Sequence, residues 1–256
     1  MAAKKLGKKA RVHLKIDTGM NRLGLNPDDL DTMIDLLAQH QESLEVVSAF
    51  THFADADAED LAFTDDQLER FQKYAERVRM RFPKILAHCA NSAAILRSSR
   101  YHLDLVRPGL LLYGYVPSHC DPIAVKPAMR VVAKVTLVKD VKSGGTVGYG
   151  RTWQANADTR VATIGIGYAD GVHVRQSNSG HVLLGGAKCP IVGRVSMDQI
   201  TVDVSACKSV AVGDLAVVVG SEHGSSLLAD EVAAAEGTIP YEILCGVSSR
   251  VPRFAA

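Results

Sequence analysis

Hydrophobic positions over residues 11–115 switch repeatedly between two spacings. They alternate or run together over 11–16, 44–50, 84–89 and 103–106, and recur at helical intervals over 26–40, 64–82 and 92–99. The first set predicts four β-strands and the second three helices. Asn26 and Pro27 suit the N-cap and first turn of the helix over 26–40, and Thr64, Asp65 and Asp66 are placed to cap the longer one. Strand–helix alternation implies parallel strands joined by helical crossovers. Such sheets present reactive groups at the carboxyl ends of their strands. Polar residues stand at those ends here: Asp17, Thr51 with His52, Asn91 with Ser92, and Arg107. The four ends are expected to converge on one rim.

After Pro117 the rhythm changes. β-rich runs over 129–141, 159–167, 181–184, 191–204 and 215–219 are separated by glycine-rich turns such as Ser143-Gly144-Gly145 and Gly185-Gly186, with one helix near 226–235. That pattern predicts an antiparallel barrel or sandwich. The chain therefore reads as α/β plus all-β, with a (β/α) domain over 1–118 and a carboxy-terminal antiparallel β domain over 119–256. A closed (β/α)8 barrel takes eight strand–helix units, typically over ~250 residues. Four strands make only a partial TIM-type barrel and leave a sheet edge unpaired, so the chain alone is expected to associate or aggregate.

Composition narrows the partners. With 47% hydrophobic and 22% charged residues and a net charge of +1, the chain lacks the basic face that nucleic acid or a membrane surface would demand. The amino-terminal cluster of Lys4, Lys5, Lys8, Lys9 and Arg11 has no interleaved aromatic residues and reads as solvated surface. No apolar stretch is long enough to span a bilayer, and the amino-terminal region holds no signal-peptide core. Five cysteines, Cys89, Cys120, Cys189, Cys207 and Cys245, are odd in number and form no CxxC pair. They read as reduced thiols of a cytoplasmic protein, not as a disulfide frame or a zinc site.

One residue disturbs the strand pattern. Lys15 sits in the β-rich run VHLKID over 12–17, where a buried ammonium needs a partner or a role. The same run opens the motif VHLKIDTGMNRLG. Seven further motifs follow it: Thr51-His52-Phe53-Ala54, Ala90-Asn91-Ser92-Ala93, Val106-Arg107-Pro108-Gly109, Val147-Gly148-Tyr149-Gly150, Gly165-Ile166-Gly167-Tyr168-Ala169-Asp170-Gly171, Gly193-Arg194-Val195-Ser196-Met197-Asp198-Gln199 and Pro240-Tyr241-Glu242. Over residues 11–254 their order resembles that of the alanine racemases. The resemblance implies a (β/α)8 barrel holding pyridoxal phosphate, a carboxy-terminal β domain, and a homodimer with each active site at the interface.

It also implies a role for each matching residue. Racemisation removes the α-proton from one face and returns one to the other, which two bases on opposite faces achieve most simply. Tyr149 matches one of them, contributed across the dimer interface. A phenol's ordinary pKa of about 10 means that it needs cationic neighbours, and His52 and Arg107 match the residues linking it to the cofactor ring. Arg107 matches the residue facing the pyridine nitrogen. Its permanent charge disfavours protonation there and weakens the electron sink, limiting side reactions. Ser92, the Gly109 and Leu110 N–H groups and the Tyr241 hydroxyl match phosphate contacts, and Asn91 lies near the ring. Met197, Asp198 and Tyr168 match the substrate entrance. Lys15 matches a lysine that takes up carbon dioxide as a carbamate, whose negative charge accepts a hydrogen bond from Arg22. Unmodified, Lys15 and Arg22 would place two cations together; an ion pair of Lys15 with Asp17 is the simpler alternative.

The chain departs from the family at one point. The family's Schiff-base lysine lies in a Lys-Ala-x-Ala-Tyr-Gly motif near the start of the barrel, and no such motif occurs here. The chain thus reads as the second half of the barrel plus the β domain. On this reading it is inactive alone, unless an amino-terminal fragment completes it to interconvert L-alanine and D-alanine for peptidoglycan. The alternatives are a non-catalytic remnant or scaffold, a racemase for another small amino acid such as serine, and a metal site at His52-Phe53-Ala54-Asp55-Ala56-Asp57. The last lacks a second ligand cluster, and a no-metal site is expected. Pyridoxal-phosphate homeostasis proteins share the barrel but lack a counterpart of residues 120–256.

Overall fold

Parity along the first three strands determines what the sheet presents. The computed structural model describes residues 2–255, which cluster into two compact units that meet at Lys126 and Pro127. The first unit starts with a single helical turn, Ala2–Lys5 (α1), and continues through Ala10–Lys15 (β1), Leu30–Gln39 (α2), Leu44–Phe50 (β2), Ala62–Arg81 (α3), Leu86–His88 (β3) and Ser92–Arg97 (α4). The strands form a three-stranded parallel sheet in the order β1-β2-β3. Alternate residues point to opposite faces. Leu14, Ala49, Ala87 and Cys89 face one side with Ile16, in a core completed by Leu68, Phe71, Ala75 and Val78 from α3. The other face carries His13 and Lys15, Ser48 and Phe50, and His88. Of the basic cluster, Lys5, Lys8, Lys9 and Arg11 are exposed, and the side chain of Lys4 lies outside the described residues.

Three expectations for this unit are corrected. Residues 103–106 form no strand. Leu103 adopts a left-handed φ of +47°, and the Asp104 carboxylate accepts from Ala87 N–H at 2.7 Å, where a strand would offer a carbonyl. Only Asp104 N→Ala87 O and Arg107 N→Ala90 O run beside β3. The long helix starts two residues earlier than expected, with Asp60 accepting from Ala62 N–H, so Thr64 is buried within α3 and does not cap it. Asn26 does accept from Asp28 N–H ahead of Pro27, but the first turn is 3-10 and α2 starts only at Leu30.

The second unit is antiparallel, as its patterning predicts. It contains Val131–Val141 (β4), Thr146–Val147 (β5), Trp153–Gln154 (β6), Thr159–Ile164 (β7), His181–Leu184 (β8), Ala187–Pro190 (β9), Ile200–Asp203 (β10), Leu215–Glu222 (β11), Ser225–Leu227 (β12), Ala229–Glu236 (α5) and Pro240–Gly246 (α6). Six strands run β10-β7-β4-β11-β8-β9, β12 pairs with β11, and β5 pairs with β6 as a separate hairpin. The expected run over 191–204 is a strand only at β10. Gly193 takes φ +80°, and Ile191 makes a single bridge to Val202. The intervening residues form a turn closed by Ser196 N→Gln199 O. No helix among the described residues is long and apolar enough to cross a membrane.

Candidate active site

A one-residue slip in strand register sets up the site of the first unit. β1 and β2 pair Val12 with Val46 but His13 with Ser48. This brings His13 Nδ1 to 2.6 Å from Ser48 Oγ. Ser48 Oγ lies 3.1 Å from His88 Nε2, and the His88 ring stacks on Phe50 with centroids 5.1 Å apart. Arg107 then gathers the carboxyl ends of β2 and β3. Its Nη1 donates to His88 Nδ1, and its Nη2 donates to Thr51 O at 2.9 Å, Cys89 O at 3.1 Å and His52 Nδ1 at 3.3 Å. Its Nε makes no hydrogen bond within the described residues. Among the described residues no carboxylate pairs with this guanidinium, and burial lowers its pKa.

Arg107 fixes the protonation state of both histidines. A ring nitrogen that accepts from a guanidinium carries no proton, so each histidine is neutral with its hydrogen on Nε2. His88 is pushed down to about 4 by burial and by the positive charge of Arg107. Burial lowers His52 too, followed by the charges of Arg107, Arg22 and Lys15. Lys15 forms no ion pair with Asp17, whose carboxylate accepts instead from the Gly19 and Asn21 N–H groups. Arg22 is exposed on the loop that follows.

An anion cradle adjoins the same strand ends. Asn91 caps α4 by accepting from Ala94 N–H at 3.0 Å, which places Ser92 at its first position. Ser92 Oγ accepts from Gly109 N–H at 2.8 Å and Leu111 N–H at 3.3 Å. Its own hydroxyl hydrogen is left to donate. The Leu110 N–H has no acceptor among the described residues. His52, Asn91, Ser92, Arg107, Gly109 and Leu110 thus lie at neighbouring strand ends, while His88 and Ser48 escaped the sequence reading. The parity of β2 and β3 could have found both, because Ser48, Phe50 and His88 share the face of Lys15.

The second unit assembles its motifs through glycine. Gly148 and Gly150 flank Tyr149 with φ of +74° and +69°, which turns the phenol outward at 73% exposure. A Cβ on Gly193 would lie 2.7 Å from Val147 O, so the Val-Gly-Tyr-Gly and Gly-Arg-Val-Ser motifs pack backbone to backbone. Gly167 is tighter still, since a Cβ there would lie 2.2 Å from Ser196 O. That contact lets Tyr168 N–H reach Ser196 O and Ala169 N–H reach Met197 O, each at 3.0 Å. Tyr168, Met197 and Asp198 are thereby brought together, and Arg250 ties Asp198 (2.6 Å) to Asp170 (3.4 Å). Tyr241 lies exposed in the first turn of α6.

The first unit coincides with the family model described as alanine racemase, N-terminal domain, over residues 1–117, and the second with alanine racemase, C-terminal domain, over 128–255. The chain belongs to the alanine racemase family. It is 41% identical over 256 residues to an alanine racemase of Cutibacterium acnes, covering 99% of this chain and 68% of that protein. The alanine racemase of Streptomyces coelicolor A3(2) superposes with a TM-score of 0.90 at 36% identity, over 98% of this chain and 68% of its own. That of Bartonella henselae with covalently bound pyridoxal phosphate superposes at 0.82 and 32% identity, over 99% and 68%. The chain thus spans about two thirds of the length of these relatives. The donors in the first unit suit such a cofactor. Ser92 Oγ–H and the Leu110 N–H, beside Gly109 whose own N–H is held by Ser92 Oγ, offer donors for a phosphate, and the free Arg107 Nε–H offers a donor for a ring nitrogen.

Proposed function

We propose that this chain carries the cofactor-binding and proton-transferring residues of an alanine racemase that interconverts L-alanine and D-alanine in the cytoplasm. The Arg107 cluster carries the reading. A cation without a carboxylate partner, bonded to two neutral histidines and keeping one N–H free, is an expensive arrangement for a scaffold alone. Bound pyridoxal phosphate supplies the sink for the negative charge left when the α-proton departs. Ser92, Gly109, Leu110 and Tyr241 are the residues that would hold its phosphate, and Asn91 and Arg107 those that would meet its ring, Arg107 without giving up a proton. Tyr149 accepts or returns the α-proton at its phenolic oxygen, with His52 joining it to Arg107. Met197, Asp198 and Tyr168 of one copy shape the substrate's approach in the other, where Arg22 orients it. A homodimer brings Tyr149 of one copy to the Arg107 cluster of the other.

The proposal includes a partial barrel whose cofactor lysine comes from a complementing segment bearing Lys-Ala-x-Ala-Tyr-Gly. The test mixes the purified chain with pyridoxal phosphate, with and without that segment from a relative, and follows exchange of the alanine α-proton in deuterium oxide. Borohydride trapping locates any lysine adduct. Exchange only with the segment present, and lost in Tyr149→Phe while the adduct persists, is the expected result. Exchange by the chain alone would overturn the need for a segment. No exchange in either mixture would overturn the racemase assignment and favour a scaffold. Running serine alongside alanine separates the two substrates.

Lys15 is proposed to carry a carbamate, which turns its cation beside Arg22 and His52 into an anion. Native mass spectra in bicarbonate should show one carbon dioxide adduct that Lys15→Met lacks. An unchanged mass in the complemented protein would count against it.

A further inference from the structure

The second unit holds a cysteine pair that no part of the racemase chemistry uses. Cys189 lies in β9 and Cys207 in the turn after β10, with their Sγ atoms 3.3 Å apart. A disulfide holds its sulfurs about 2.0 Å apart, so closure needs only a small side-chain movement. The backbone holds the pair in place on both sides: Ile191, two residues beyond Cys189, bridges Val202, and Cys207 N–H donates to Val204 O at 3.0 Å. The two thiols differ in access. Cys189 is 1% exposed, and burial, together with its contact to Cys207, pushes its thiol up to about 12. Cys207 is partly exposed.

We propose that Cys189 and Cys207 form a reversible disulfide when the protein meets hydrogen peroxide. Cys207 Sγ attacks the peroxide O–O bond, becoming a sulfenic acid and releasing water. Cys189 Sγ then displaces the sulfenic oxygen, its proton leaving with that oxygen as a second water. Two thiols are oxidised by two electrons and one peroxide is reduced. The bond closes the base of the segment carrying Gly193–Gln199, and so fixes the mounting of Met197 and Asp198.

Hydrogen peroxide is added to the whole folded chain, remaining thiols are blocked with N-ethylmaleimide, and the unreduced protein is digested with trypsin. Cleavage after Lys188, Arg194 and Lys208 separates the cysteines, so the bond appears as peptide 189–194 joined to peptide 195–208. That joined pair should dominate over oxidation at Cys89, Cys120 or Cys245, and dithiothreitol should reverse it. The melting temperature should rise by about 5 °C on oxidation, as closure of a short loop predicts, and Cys207→Ser should abolish both changes. Recovery of both cysteines as maleimide adducts, or of Cys207 as an unlinked sulfinic acid, would overturn the proposal. Should the serine variant fail to fold, the wild-type peptide map and its reversal by dithiothreitol decide alone.

Discussion

Replacing Arg107 with leucine should cost about 3 kcal/mol of stability, because three buried acceptors lose their donor at once and each costs about 1 kcal/mol or more. Those acceptors are Thr51 O, Cys89 O and His88 Nδ1, and all three residues are buried. Leucine fills part of the volume over Phe50, where the guanidinium now lies 5.4 Å from the ring centroid, but it donates nothing. Arg107→Lys should recover part of the loss. An ammonium restores the charge but cannot reach acceptors on β2 and β3 in the planar fork that a guanidinium provides. Urea unfolding followed by circular dichroism measures both, with the midpoint moving and the slope unchanged. A loss below about 1 kcal/mol for leucine would mean that water satisfies these groups unaided. The variant should also let His52 and His88 titrate at higher pH, since the charge of Arg107 lowers both. Imidazole chemical shifts would show this even if stability changed little.

How much of this cluster could be read from the chain depends on which forces were local. β2 appears with its expected bounds because an apolar run flanked by polar residues has one good alternative, a strand. Asn26 and Asn91 cap as their types suggest, since the bond reaches only two or three residues along the chain. The run over 103–106 fails for a non-local reason. The Ala87 N–H on β3 is taken by the Asp104 side chain, and no spacing rule reveals such a substitution. His88 was passed over because it ends a short strand as an unremarkable polar residue. Its role depends on pairing with Phe50 and on a bulge between Val12 and His13 that brings Ser48 into line. The cysteines follow the same lesson. With 17 residues between them, Cys189 and Cys207 show no motif, and only the bridge from Ile191, just past β9, to Val202 in β10 brings them together.

Acid should weaken the fold through His88, and the direction follows from its environment. An unfolded histidine titrates near 6.5, whereas His88 in the folded chain is held down to about 4. Between those values the unfolded chain takes up a proton that the folded chain refuses, so stability falls as pH falls. The contribution is intact above about pH 6.5. It is lost progressively toward pH 4, by at most about 3 kcal/mol, which is the shift converted at 1.36 kcal/mol per unit. His52 and His181 are lowered in the same direction, mainly by burial, and add to the slope in the same window. His88→Asn separates the shares. Its amide oxygen can accept from Arg107 and its amide nitrogen can donate to Ser48, so the bonds survive while the titration disappears. Stability measured from pH 7.5 to pH 4 should therefore fall less steeply in the variant than in the parent. Equal slopes, or a His88 ring that titrates near 6.5, would mean that protonation of this residue does not oppose folding. The guanidinium would then have to turn away from Nδ1 at little cost, and the donation from Arg107 to His88 would no longer set the charge state of that ring.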